Sequence, residues 1–173
     1  MASVAVAGES GLPDNTSCIL RIGRALLYGF IKTLCQQYAA CPHHAASLEQ
    51  VEQVNGEDVP DSAQVYSLQE HMLHILQELR NNEEITRMAE SIISENPLQT
   101  LAEVSEEMFA TEVNWGRIVV FFYFTYKVII QSAASFFKAV MDWAMNFLRD
   151  RLAAWIQQQG GWNVLLNFFP SSE

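Results

Sequence analysis

Lysine and arginine are scarce, ten in all against twenty Asp and Glu, for a formal net charge of −10. Phosphate neutralisation needs clustered basic side chains, so general nucleic-acid binding is excluded as the main activity. Three cysteines, Cys18, Cys35 and Cys41, do not make a disulfide framework, and a reducing, intracellular location is the simpler reading. Glycine (8) and proline (5) are few, and no short strands recur at the spacing of a sandwich or barrel. The first residues, Met1 to Gly11, have no basic residue ahead of their apolar stretch, unlike a secretory signal. No uncharged run is long enough for a simple spanning helix: Lys127 and Lys138 interrupt the most apolar stretch, Ile118 to Met141. The end of this chain is short and polar after Phe169, and no tail anchor is expected within it.

What the chain has is apolar mass: half of its 173 residues are hydrophobic, with ten Phe and four Trp. That is enough for one well-buried core and too little length for two domains. Charge is split along it. Residues 48–112 hold fifteen Asp and Glu against Arg80 and Arg87, whereas residues 113–173 hold three acids against five basic residues. A hydrophobic centre wrapped by charged helices fits that division.

Residues 1–16 read as a flexible arm, 17–170 as a single helical domain with a flexible loop at about 40–62, and 171–173 as a tail. Ile19, Ile22, Leu26, Phe30 and Leu34 repeat at helical spacing, in a helix capped by Asn15, Thr16 or Ser17 and ending near Gln37. Leu68, Met72, Ile75 and Leu79 form a second stripe. Ile85, Met88 and Ile92 form a third, ended by Pro97, which opens a fourth helix bearing Leu98, Leu101, Val104 and Met108. Asn114 caps the most apolar helix, Trp115 to about Ile130, which lacks a polar face and belongs in the middle. Phe136, Val140, Trp143 and Phe147 mark the next, and a final pair, about Ala153 to Gln159 and Trp162 to Phe168, is divided by Gly160 and Gly161. The expected fold is all-α, about eight helices bundled around a buried apolar helix hairpin.

Two motifs stand out. Asn114-Trp115-Gly116-Arg117, leading into Ile118 to Phe124, resembles the first homology segment of the B-cell lymphoma two (Bcl) family of apoptosis regulators. Trp155-Ile156-Gln157-Gln158-Gln159-Gly160-Gly161-Trp162 resembles the second, and Phe147 to Leu152 with Ile19 to Ile31 is most similar to its Bax-type multi-motif members. Physically, Gly116 permits close approach of a backbone and Arg117 offers a planar fork of donors for a carboxylate.

The resemblance implies that Arg117 meets the aspartate of a bound amphipathic death-motif helix. It further implies a groove walled by Met88, Ile92, Val104, Met108, Phe109, Ile118 and Phe121, beside Asn114 and Gly116. The plainer readings are an internal or solvated Arg117 and, for the apolar positions, ordinary core. The third homology segment departs from the family. After Leu68, Met72 and Ile75 stand Leu76 and Gln77, before Leu79, where the family places a small residue and then aspartate. The expectation is a segment that packs in its own fold and is a weak exported ligand.

By resemblance, the function is that of a Bax-like pro-apoptotic effector: cytoplasmic, recruited to the mitochondrial outer membrane on activation, and permeabilising it through homo-oligomers. The central hairpin is the part implied in membrane insertion. The alternative is a survival-type protein that sequesters death-motif helices in the same groove, and the remote alternative is a helical adaptor with no apoptotic role. No enzyme is expected, since no phosphate loop, nucleophile elbow or catalytic dyad is present. No cofactor is expected. Cys35, Cys41, His43 and His44 match no common zinc spacing, and His71 and His74 read as surface histidines.

Overall fold

The computed structural model describes residues 2–37, 62–79, 81–92, 95–131 and 134–168. Seven α-helices occur among them: α1 (Ala2–Gln37), α2 (Ser62–Leu79), α3 (Glu83–Ser91), α4 (Pro97–Thr111), α5 (Trp115–Gln131), α6 (Phe137–Phe147) and α7 (Ala153–Gln159). A 3-10 turn, Ala134–Phe136, precedes α6, and a π-helical turn, Leu148–Leu152, joins α6 to α7. No strand occurs among the described residues. The expected loop up to residue 61, the tail at 171–173, and Cys41, His43 and His44 lie outside the described residues.

Helix α5 is the axis of the bundle. α1, α2, α3, α4 and α6 all pack against it, and twelve of its residues are buried, from Trp115 to Ile129. A helix with no polar face has no stable place on the surface, and burial is its main source of stability. Its hairpin partner α6 buries Phe137, Val140, Met141, Ala144 and Phe147 but leaves Lys138, Ala139 and Asp142 exposed. The stripes of α1 (Ile19, Ile22, Leu26, Phe30, Leu34) and α2 (Leu68, Met72, Ile75) are buried as their spacing requires. Leu76 is buried as well, while Gln77 faces solvent.

Local signals explain the helix ends. Pro97 opens α4 at the position where its missing N–H costs nothing. Asn82 caps α3, its Oδ1 accepting from Glu84 N at 2.8 Å and Ile85 N at 3.3 Å. Gly160, at φ 111°, ends α7 in the left-handed conformation, and Gly161 N donates to Ile156 O at 2.9 Å.

Three expectations need correction. Helix α1 begins at Ala2 rather than near Ser17, so the cap candidates Asn15, Thr16 and Ser17 lie inside it. Gly8, Gly11 and Pro13 all disfavour helix on propensity alone, so nothing local in the sequence announces this extension. The segment from Trp162 is a 3-10 helix, Trp162–Asn167, instead of a second α-helix. Phe136 is not a core residue but 58% exposed. It sits in the 3-10 turn, whose three-residue period shifts the register and gives the buried place to Phe137.

Cys35 is fully buried, and burial pushes its thiol up to about 11. It is therefore a protonated core side chain at neutral pH rather than a nucleophile. Among the described residues no group of three His, Cys, Asp or Glu could hold a metal ion, and no helix is long and apolar enough to cross a membrane.

Candidate helix-binding groove

An open groove of about 1020 Å³ runs between the end of α2, α3, the end of α4 and the start of α5. Its apolar lining is Leu79, Ile85, Met88, Met108, Val120 and Phe168, and its lip carries Asn114, Gly116 and Arg117. Each contribution follows from local sequence. The break at Asn81–Asn82 turns the chain from α2 into α3, whose Met88 lines the groove together with Met108 of α4. Glu112 adopts an extended conformation, which ends α4 and sets α5 at a new angle.

Asn114 fixes the start of α5. Its Oδ1 accepts from Arg117 N at 2.8 Å, and its Nδ2 donates to Glu112 Oε2 at 2.9 Å. Asn114→Ala should therefore destabilise the protein by about 1 kcal/mol, read as a fall in the urea midpoint with the slope unchanged. No change in the midpoint would mean that the cap is idle.

The Arg117 guanidinium turns toward α4, where Nη1 donates to the carbonyl of Met108. That carbonyl belongs to the last turn of α4, where acceptors lack intrahelical partners and the dipole favours a cation. Arginine carries five N–H donors in a fixed fork, so one bond to Met108 leaves the rest for a carboxylate in the groove. Arg117 is half-buried, where such a pair is less screened than at an open surface.

The sequence-expected wall divides in two. Met88, Met108, Asn114, Gly116 and Arg117 line the groove. Ile92, Phe109, Ile118 and Phe121 do not; all four are core. Phe121 stacks on Phe147 at 5.1 Å and meets Phe109 at 6.1 Å, so both rings are taken up by the aromatic interior. Val104 is half-buried against the core and is absent from the groove lining. Apolar helical spacing marks a buried face without saying whether a neighbour or a ligand covers it.

Other groove residues gave no sign in the sequence. Phe168 closes one side: its ring would stand 3.4 Å from a Cβ placed on Gly116. His71, expected to be an ordinary surface histidine, is half-buried, with Nε2 2.7 Å from the Phe168 carbonyl. Gln64 Nε2 donates to Asn163 Oδ1 at 2.9 Å, a second link from α2 to the C-terminal turn. The second homology segment is structural. Trp155 meets Trp115 at 5.0 Å, Trp162 meets Trp115 at 5.8 Å, and the Trp162 indole N–H donates to Ile19 O at 2.9 Å.

A family described as "Apoptosis regulator proteins, Bcl-2 family" matches residues 70–162. Apoptosis regulator BAX of Bos taurus is 32% identical over 93% of this chain and 82% of its own length. That of Mus musculus is 33% identical over 92% and 81%. Bcl-2-like protein 1 of Rattus norvegicus is 33% identical over a shorter stretch, 43% of this chain and 34% of its own. Among solved structures, Trichoplax adhaerens trBcl-2L2, bound to trBak BH3, superposes with a TM-score of 0.62 at 18% identity. It covers 86% of this chain and 97% of that one, which speaks to the fold. With the two motifs in place on this bundle, the chain belongs to the Bcl-2 family of apoptosis regulator proteins.

Proposed function

We propose that this chain is a Bax-like pro-apoptotic effector that binds the death-motif helices of other family members in its groove. On activation it permeabilises the mitochondrial outer membrane through homo-oligomers. The reading supposes a cytoplasmic protein recruited to that membrane, acting by binding rather than catalysis and without a cofactor. The observation that carries it is the groove itself: a trench with six apolar side chains along it, a charged rim and an arginine fork at its lip, on a chain similar to BAX over nearly its whole length. Amphipathic helices laid into apolar grooves are the recognition mode for which this family is known, and methionines such as Met88 and Met108 suit a surface that adapts to several ligands.

The α5–α6 hairpin supports the membrane step. Only Lys127 of α5 and Lys138 and Asp142 of α6 carry charge inside the two helices beyond Arg117. Opening of the bundle would expose an apolar surface suited to a bilayer interface.

A survival-type role is the second reading, favoured by one observation. Leu76 is spent in the core and Gln77 replaces the family's aspartate, so α2 is poorly equipped to be presented to a relative. Dye release from liposomes of mitochondrial lipid composition separates the two. With an activating death-motif peptide, an effector releases dye from the vesicles. A survival-type protein releases none and suppresses release by an authentic effector.

A further inference from the structure

We infer that the groove selects amphipathic helices bearing Lys or Arg beside their apolar stripe, and that it disfavours the α2 segment of a second copy of this chain. The inference deepens the helix-binding reading above and rests on it.

Four carboxylates line the groove, Glu78, Glu84, Glu107 and Glu112, against two guanidiniums, Arg87 and Arg117. They stand at two places, Glu78 and Glu84 at the passage from α2 to α3, Glu107 and Glu112 at the passage from α4 to α5. All four are exposed. Among the described residues no basic side chain pairs with any of them, whereas the neighbouring Glu106 is held by Arg151 at 2.5 Å.

Glu84 lies in the first turn of α3, where the helix dipole itself welcomes an anion. Glu107 and Glu112 are placed oppositely, at the C-terminal end of α4, which has no basic residue in its last turn. There the dipole opposes them, and a cation arriving from a ligand relieves both the dipole and the carboxylates. Arg117 remains suited to one acidic residue on the ligand, so the complementary helix is mixed in charge, with a single acid opposite Arg117 and basic flanks.

Helix α2 of a second copy does not meet that description. Residues Ser62–Leu79 carry Glu70 and Glu78 and no Lys or Arg, with Arg80 the first cation beyond them in sequence, so the helix has the same net sign as the rim and is repelled by it.

The test uses the whole chain and labelled amphipathic peptides that share one apolar face and one aspartate, with Lys, Gln or Glu at the flanking positions. A peptide of residues 62–79 makes a fourth. At about 50 mM salt the Lys peptide should bind about ten-fold tighter than the Gln peptide, and the gap should shrink several-fold near 300 mM. The Glu and 62–79 peptides should be weakest. The combined Glu84→Gln, Glu107→Gln, Glu112→Gln variant should lose most of the Lys-to-Gln ratio. The equally neutralised Glu90→Gln, Glu95→Gln, Glu103→Gln variant, changed outside the groove, should keep it. Equal affinity for the Lys and Gln peptides, or the same loss of ratio in both variants, overturns the inference while leaving helix binding intact. If no peptide binds, the helix-binding reading falls and this inference falls with it.

Discussion

Trp162→Ala should lower the stability of the protein by about 3–5 kcal/mol, the range for deleting a large buried aromatic. For a domain of ordinary stability that is roughly a fifth of the total or more. The size of the effect comes from where the ring lies. Trp162 is 2% exposed, and its ring meets those of Trp115 and Phe122 at 5.8 and 6.2 Å. Its indole N–H reaches across to the Ile19 carbonyl of α1. One side chain of a short 3-10 helix therefore fastens the C-terminal turn to both α1 and the central α5. A Cβ on Gly23 of α1 would stand 2.6 Å from Leu148 Cδ2 and 3.2 Å from the same ring, so a side chain there would push on both.

Helical collapse into the void left by alanine is hindered, because α1, α5 and the turn are each held by other contacts. The urea midpoint, followed by far-ultraviolet circular dichroism so that the lost indole does not alter the signal, measures the change. Trp162→Phe should retain much of the packing and cost less, losing chiefly the bond to Ile19. A Trp162→Ala protein within about 1 kcal/mol of the parent would mean that the C-terminal turn does not seal the core.

Much of this arrangement could be read from residue spacing. The stripes of α1 and α2, the proline opening α4, the asparagine capping α5 and the glycine ending α7 are local signals, and each falls where it was expected. What spacing cannot supply is the identity of the neighbour. Ile92, Ile118 and Phe121 look the same in sequence as Met88 and Met108, yet the first three are covered by the bundle and the last two line the groove. The acidic rim was equally hidden, since Glu106 and Glu107 differ by one residue and face Arg151 and the groove respectively. Phe168 and His71 meet across 97 positions of sequence, a contact that no local pattern encodes. Phe136 leaves the core because a 3-10 turn breaks the helical period that its spacing with Val140, Trp143 and Phe147 implies.

The role of Arg117 has the other large expected effect. Its fork sits at the groove lip, half-buried, with one N–H committed to Met108 and the others available. A charge-assisted hydrogen bond in such a place contributes about 1.5–3 kcal/mol, which corresponds to roughly 10- to 100-fold in affinity. The Met108 carbonyl can turn to water when the arginine is removed, so folding stability should change far less than binding does. A ligand lacking its aspartate should already be weak, and should lose little more on the loss of Arg117, because the two groups act as a pair.

The decisive measurement is therefore a double-mutant cycle: titration of a death-motif peptide, with and without its aspartate, against the parent and Arg117→Ala proteins, with thermal unfolding as a control. If an amphipathic helix lies in the groove with its acid against the guanidinium, each single change weakens binding by roughly 10- to 100-fold and the double change by little more than either. Unaltered affinity of Arg117→Ala for the intact peptide, in a protein that remains folded, would contradict it.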